Sequence, residues 1–419
     1  MQRLWFSKTI AELFYMSNTP KKVFLLTLGC PKNEVDSEFL LRDLIQNGFA
    51  SVIEPAQATH IIVNTCGFLA SALKEAKETI EDLYKQKQPH QQIFAVGCAV
   101  KRVGPQLVDP NTKLDGFFAT WQELLGSFTN PASKTKAKPS LPSTRLMTGL
   151  PYAYLTIAYG CDENCHFCTI PSIKGPFVSR PASEISQEVH DLLALGYQEI
   201  ILIAQNTTAY GLDWKKQGNN TNCNSLAKLL DLICQNFPQL PWLRIMYAYP
   251  DYITQDLIDT MASYPNICHY LDIPQQHVVP AVLKNMGRSY NFARTKQTLQ
   301  ALRQAMPDIS LRTTLIVGYP GESEDDFEVL KRTISQIKYN HLGVFCFSPE
   351  PGTKAASLPD QVPEQVKQDR FHQIMQAQQA ISWQNNQSMI GSKLSVIAVS
   401  YTHLRAHETV LDLVCRLLL

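Results

Sequence analysis

The 419-residue sequence has no run of about 18 apolar residues, the length a helix needs to cross a bilayer. No transmembrane helix and no membrane partner are expected. The opening stretch MQRLWFSKTIAELFYMSNTPKK lacks the unbroken apolar core and the small-residue cleavage site of a signal peptide, so a cytoplasmic location is expected. An excess of charge of one sign is also missing. There are 38 Lys and Arg against 37 Asp and Glu, a formal net charge of +1. That excludes a global basic field for nucleic acid, and RNA contact is left to a local patch. Apolar content of 45% and charged content of 18% are ordinary for a globular chain long enough for two or three domains.

Cysteine is plentiful instead. Eleven cysteines in a cytosolic chain read as metal ligands, catalytic groups or buried apolar residues rather than disulfides. Their placement depends on the organisation of the chain. The apolar runs at 23–29, 60–66 and 93–99 have strand length, and helical patterns at 35–49 and 70–87 separate them. This βαβ alternation predicts a parallel-sheet α/β domain over 21–128. A Pro-, Ser-, Thr- and Lys-rich stretch at 129–148 reads as a linker.

A second domain is expected over 149–387. Six strands are predicted at 152–159, 199–205, 243–248, 269–273, 311–317 and 341–347. Helices are predicted at 182–195, 225–236, 253–263, 292–305 and 324–337, with a further helix from 363 to about 387. Six βα units suggest a partial (β/α)6 TIM-type barrel, with chemistry at the C-terminal strand ends.

The run GCDENCHFCTIP follows the first of these strands. It places Cys161, Cys165 and Cys168 in a C-x3-C-x2-C pattern, for which composition predicts about 0.008 chance occurrences. A tetrahedral zinc site wants four ligands, and His166, between two of the cysteines, is a poor joint ligand with them. Haem attachment wants C-x-x-C-H, and thioredoxin-type redox chemistry wants one C-x-x-C alone. An iron–sulfur cluster fits best, because thiolates are its usual ligands. Three thiolates leave one iron of a 4Fe-4S cluster open to a small molecule, and S-adenosylmethionine suits that position.

C-x3-C-x2-C with Phe167 before its last cysteine resembles the radical S-adenosylmethionine superfamily. The resemblance implies that the reduced cluster donates an electron to the sulfonium, and that a 5′-deoxyadenosyl radical then abstracts a substrate hydrogen. Phe167 reads equally as a packing residue. In the first domain Cys30 (TLGCPKNEVDSE), Cys66 (VNTCGF) and Cys98 (VGCAVKR) each fall at or just after a predicted strand end. In a parallel sheet those ends share one edge, so three distant cysteines can converge there. Gly29, Gly67 and Gly97 flank them. Each cysteine alone would read as an ordinary buried thiol.

The six cysteines together resemble the methylthiotransferases, across nearly all of residues 21–399. That resemblance implies two 4Fe-4S clusters, one on Cys161, Cys165 and Cys168, and an auxiliary one on Cys30, Cys66 and Cys98. LGCPKNEVDSE, NTCGF, IPSIKGPFVSRP, AQNTTAYG and YLDIPQQH look like the branch that modifies ribosomal protein twelve of the small subunit. The implied reaction inserts a methylthio group at the β-carbon of an aspartate, with S-adenosylmethionine as radical source and methyl donor. A β C–H bond is a poor target for a side-chain base at neutral pH, which suits radical removal. The implied partners are that ribosomal protein or the ribosomal subunit, and an electron donor such as flavodoxin or ferredoxin. The transfer-RNA branch more often reads Gln-Met-Asn where this chain has Pro31-Lys32-Asn33. An iron–sulfur electron carrier is the reading from another class.

Other positions follow from strand ends. Gln205, Asn206, Thr207, Arg312 and Gly318 are candidate cofactor contacts, although Asn206 stands where an aspartate is expected for this branch. Ser323 with Asp326 reads as a capping box. Asp272, Gln275 and His277 are candidate substrate contacts, with a structural histidine the competing reading for His277. Cys223, Cys234, Cys268 and Cys346 have no paired spacing and read as packing or surface residues. The family usually ends in a TRAM β-barrel. Here 388–399 resembles only its start, so a truncated barrel is expected, and 400–419 is expected to be a non-native tail. Met16 precedes a family-like start.

Overall fold

The computed structural model describes residues 21–128, 151–218, 222–288 and 291–397. The chain divides into two compact units, Met1–Leu146 and Met147–Leu419. That division falls within the predicted linker, which lies outside the described residues, as does the tail at 400–419.

The first unit is a parallel α/β sheet of five strands in the order β2-β1-β3-β4-β5. The strands are β1 (Lys22–Thr27), β2 (Ala50–Ser51), β3 (His60–Thr65), β4 (Gln92–Gly97) and β5 (Gly116–Phe118). Helices α1 (Pro31–Gln46), α2 (Ala70–Gln86), α3 (Cys98–Val103) and α4 (Trp121–Phe128) connect and cover them. Strand β3 is buried along its whole length, as expected of a central parallel strand covered on both faces. Val23, Leu40, Leu44, Ile62, Phe94, Val96 and Leu124 pack together on one side of the sheet. Val63, Ala76, Ile80, Ala95 and Val100 pack together in a second cluster. Each such Val, Leu, Ile or Phe side chain contributes roughly 1.5–3 kcal/mol by leaving water.

Helix α1 begins at Pro31, four residues before the periodicity suggests. Proline at the first helical position has its φ set for the helix, and Glu34 places an acid in the first turn. It stops at Gln46 rather than 49, before Asn47-Gly48, where Gly48 takes φ +87°. The short strands β2 and β5 and helix α4 have no clear periodic signal, being too short to show one.

The second unit holds a six-stranded parallel sheet in the order β13-β12-β11-β10-β9-β6. Its strands are β6 (Tyr152–Thr156), β9 (Glu199–Ile203), β10 (Trp242–Ile245), β11 (Ile267–Asp272), β12 (Ser310–Val317) and β13 (His341–Cys346). The two-residue strands β7 (Ala158–Tyr159) and β8 (Val178–Ser179) pair antiparallel beside it. Sheet order follows chain order, and β13 does not pair with β6, so the barrel is open, as expected. Helices α5 (Ile170–Lys174), α6 (Ala182–Ala194), α7 (Leu212–Lys216), α8 (Leu226–Asn236), α9 (Gln255–Ser263), α10 (Pro280–Asn285), α11 (Phe292–Ala305), α12 (Glu324–Ile337) and α13 (Glu364–Ser388) complete it. On β12, Leu311, Thr313, Leu315 and Val317 are buried, while Arg312, Thr314 and Ile316 on the other face are partly open. That period of two assigns one face to the helix-packed core and one to the concave side. Ser323 and Asp326 form the predicted capping box of α12. Residues 390–397 carry no strand.

Candidate functional site

In the first unit, the register sets Thr27 beside Asn64 and Asn64 beside Val96. Cys66 and Cys98 therefore stand two residues beyond paired positions, and Cys30 three beyond its own, on three neighbouring strand ends. Cys30 is the residue before α1, and Cys98 is the first residue of α3. The chain reaches Cys98 through Gly97 at φ +100°, where a Cβ would come within 2.4 Å of Asn64 Oδ1. Only glycine fits that turn.

Asn33 ties the three ends together. Its side-chain amide donates to the carbonyls of Leu28 and Thr65, each at 3.0 Å. The Cys98 thiol donates to its Oδ1 at 3.6 Å. Asn64 Nδ2 donates to the Asn33 carbonyl at 2.9 Å and to Ser37 Oγ at 2.8 Å. The Cys66 thiol is held above its ordinary pKa, chiefly by burial, and the neighbouring Cys30 pushes the same way.

In the second unit the cysteine run leaves β6 and is closed by the β7–β8 pair. Gly160, at φ +70°, lies so close to the Pro176 carbonyl that a Cβ would meet that oxygen at 1.9 Å. Cys161 N–H donates to the Gly175 carbonyl at 3.1 Å, and Asp162 Oδ1 accepts from Phe177 N–H at 2.8 Å. Cys168 N–H donates to the Cys165 carbonyl at 3.1 Å, and Cys168 Sγ accepts from Ile170 N–H at 3.4 Å. His166 faces away from metal ligation: its N–H donates to the Met286 carbonyl at 2.9 Å, and its Nδ1 lies 2.8 Å from the Asn285 carbonyl. Phe167 packs against Tyr249, Leu283, Met286 and their neighbours.

Burial pushes Cys161 up to about 11 and Cys168 up to about 12, and raises Cys165 as well. The Arg288 guanidinium opposes the rise at all three. Metal binding by these groups therefore releases protons, because the ligating form is the thiolate.

The other strand ends close around this loop. Asn206 Nδ2 donates to Glu163 Oε1, within the cysteine run, at 3.2 Å. Thr208 Oγ1 donates to Asn206 Oδ1 at 3.0 Å and accepts from Tyr249 N–H at 2.9 Å. Thr207 is fully buried, and its hydroxyl donates to the Met246 carbonyl. Gln205 Oε1 is buried without a hydrogen-bond partner. Arg312 Nη1 donates to Asp272 Oδ1 at 3.2 Å, across β11 and β12. A Cβ on Gly318 would strike the stem of Lys367 at 2.3 Å, so the space beside it holds that side chain.

Asp272, Gln275 and His277 are all buried. Gln276 between the last two takes φ +67°, a strained geometry for a non-glycine residue. Val279 N–H donates to His277 Nδ1 at 3.1 Å, and the imidazole is held neutral, pushed down to about 4 by burial. Its Nε2 lies 3.9 Å from Glu322, which pairs with Arg370 at 3.0 Å. Cys234 lies in the core, as its spacing suggests. An open cavity of about 380 Å³ lined by Gln198 and Pro241 lies at the start of β9 and β10, the end away from the cysteines.

Among the described residues no three His, Cys, Asp or Glu side chains stand placed to hold one metal ion. A single zinc wants all ligands about 2.0–2.3 Å from one point, whereas a cluster takes its thiolates on separate irons. Three thiols at each locus, a backbone held open by glycine, and one orphaned acceptor at Gln205 fit a cluster with an added small cofactor in the second unit. Glu163 and Arg288 carry no pattern that would single them out in the sequence, and the motif around Asn33 gives no sign of its hydrogen-bonding role.

An open parallel barrel with three cysteines in the loop after its first strand defines the class of radical S-adenosylmethionine enzymes. The family model described as "Radical SAM superfamily" matches residues 155–334, and "Uncharacterized protein family UPF0004" matches 22–119. The ribosomal protein uS12 methylthiotransferase RimO of Carboxydothermus hydrogenoformans is 39% identical over 385 residues, covering 90% of this chain and 86% of that one. RimO of Chloroflexus aurantiacus is 40% identical over 402 residues, covering 90% and 87%. The chain belongs to the ribosomal protein uS12 methylthiotransferase RimO family. The solved radical S-adenosylmethionine methyltransferase TsrM of Kitasatospora setae shares its fold, with a TM-score of 0.57, 14% identity, and coverage of 80% of this chain and 77% of that one.

Proposed function

We propose that this chain inserts a methylthio group at the β-carbon of an aspartate of small-subunit ribosomal protein uS12. The observation that carries this reading is the presence of two separate three-thiol sets, one in each unit, in a chain of this family. One set accounts for a radical enzyme; the second accounts for delivery of sulfur.

Cys161, Cys165 and Cys168 hold one 4Fe-4S cluster, and Cys30, Cys66 and Cys98 hold the auxiliary one. When bound, the clusters and S-adenosylmethionine supply one-electron reduction, hydrogen abstraction, methyl transfer and a carrier for sulfur. The protein's own side chains orient these groups. Glu163 and Asn206 brace the cysteine run against the end of β9. Gln205 presents an unpaired acceptor for an amine or hydroxyl of the cofactor. Asn206, Thr207, Arg312 and Gly318 are the further cofactor contacts in this reading, and Asp272, Gln275 and His277 its substrate contacts. The electron comes from a small carrier such as a flavodoxin or ferredoxin, and the reaction takes place in the cytoplasm.

The test is anaerobic reconstitution, followed by incubation with S-adenosylmethionine, dithionite and a uS12 peptide. Iron near eight per chain is expected from two four-iron clusters. Formation of 5′-deoxyadenosine and a methylthio mass gain on the aspartate are expected with it. A fully loaded protein that forms no 5′-deoxyadenosine overturns the radical reading. A methylthio gain on an adenosine of transfer RNA instead selects the transfer-RNA reading, which the asparagine at position 206 favours.

A further inference from the structure

Arg288 lies just beyond the end of α10. It follows α10 through the turn Met286-Gly287, and its N–H donates to the Leu283 carbonyl at 2.9 Å. Its guanidinium carbon lies 4.8 Å from the centroid of the Tyr249 ring and 5.8 Å from that of Phe167. Phe167 sits between Cys165 and Cys168 in the chain. A cation between two ring faces is held by their quadrupoles, so the charge stays near the cysteine loop rather than swinging into solvent.

The turn is fastened to the same loop. Met286 and Asn285 carbonyls accept from His166, and Tyr319 O–H donates to the Asn285 carbonyl at 2.9 Å. The His166 carbonyl in turn accepts from Ala355 N–H at 2.9 Å. These bonds tie the turn that carries Arg288 to the cysteine loop.

We propose that Arg288 sets the electron affinity of the group held by Cys161, Cys165 and Cys168: its fixed positive charge raises the reduction potential of that cluster. The proposal rests on those three cysteines being the ligands. Three thiolates make the site anionic, and each added electron makes it more so. A nearby cation stabilises the reduced state more than the oxidised one, and a half-buried setting screens that attraction less than water does. The residue makes one-electron reduction easier without touching substrate.

The experiment is a redox titration of the full reconstituted chain, with dithionite as reductant and the reduced clusters read by electron paramagnetic resonance. The wave that vanishes in Cys165→Ala belongs to this site; the other wave is an internal control. In Arg288→Gln, at a fixed potential, the reduced-to-oxidised ratio of the assigned wave is expected to fall about tenfold, which is about 59 mV for a one-electron couple. The control wave should stay in place, and Arg288→Lys, which keeps the charge, should stay near wild type. A fully iron-loaded Arg288→Gln with the assigned wave unmoved overturns the proposal. If Arg288→Gln takes up no iron, Arg288→Lys decides: normal loading with the wild-type potential supports a role for the charge, and failure to load overturns it. If no wave is lost in Cys165→Ala, the ligand assignment itself fails and the proposal falls with it.

Discussion

The side-chain amide of Asn33, in the first turn of α1, donates to the carbonyl of Thr65 at the end of β3 at 3.0 Å, across 32 residues of chain. The same amide reaches Leu28, and its oxygen faces the Cys98 thiol. One buried side chain thus spans the three loops that carry Cys30, Cys66 and Cys98. Asn33→Ala removes the amide donor from the buried Thr65 carbonyl and the part-buried Leu28 carbonyl, and is expected to cost about 2 kcal/mol, with loss of iron from this site. Chemical denaturation and iron analysis check it. Unchanged stability with full iron would remove Asn33 from this role.

The two thiol sets should be separable. Cys98→Ala is expected to lower iron to about four per chain while leaving 5′-deoxyadenosine formation in place. Cys165→Ala should also lower iron to about four but abolish 5′-deoxyadenosine. Iron assay and product chromatography read both variants. Equal loss of 5′-deoxyadenosine in the two would show that the sets do not act as distinct sites.

Gly160 is the tightest point of the cysteine loop. A Cβ there would lie 1.9 Å from the Pro176 carbonyl, on a backbone at φ +70°. Gly160→Ala must push the β7–β8 pair apart, and is expected to destabilise the second unit by about 3 kcal/mol. Cluster uptake on Cys161, Cys165 and Cys168 should fall with it. Thermal unfolding and the visible absorption of the reconstituted protein report the two effects.

His277 gives stability an acid limit. Burial holds its folded pKa down to about 4, below the usual value of about 6.5. As pH falls, the unfolded chain takes the proton first, so this contribution is present above about 6.5 and is lost on the way to about 4. The loss between pH 7 and pH 5 is on the order of 2 kcal/mol. Glu322, raised to about 7 by burial, works in the opposite sense: its share is lost as pH rises through that value. Asp326 and Arg370 are the other charged neighbours. The His277 share is therefore read as a difference: the stability gap between wild type and His277→Asn should narrow as pH falls from 7 to 5. A gap that stays constant would show that the imidazole is not held neutral.

Much of the architecture was legible because parallel strands are continuous apolar runs and the helices between them are periodic. Helices α11 and α12 fall where their patterns place them, at Phe292–Ala305 and Glu324–Ile337. What was not legible is local and short. Strands β7 and β8 have two residues each, and only their pairing with one another defines them. The start of α1 at Pro31 was hidden because its first turn carries polar side chains, and proline's fixed φ placed it.

The sequence by itself determined where the six cysteines fall: three within eight residues of one loop, and three others within three residues of a strand end. Ligand chemistry and strand period suffice for that, because both are local. Only the tertiary structure decided what surrounds them. Asn33 lies at the hub of one set because strands β1, β3 and β4 are neighbours in the sheet. Arg288 lies beside the other because α10 folds back onto a loop more than a hundred residues earlier in the chain. Hydrogen bonds and charge act through space, over a few ångströms, and sequence separation carries no record of that distance.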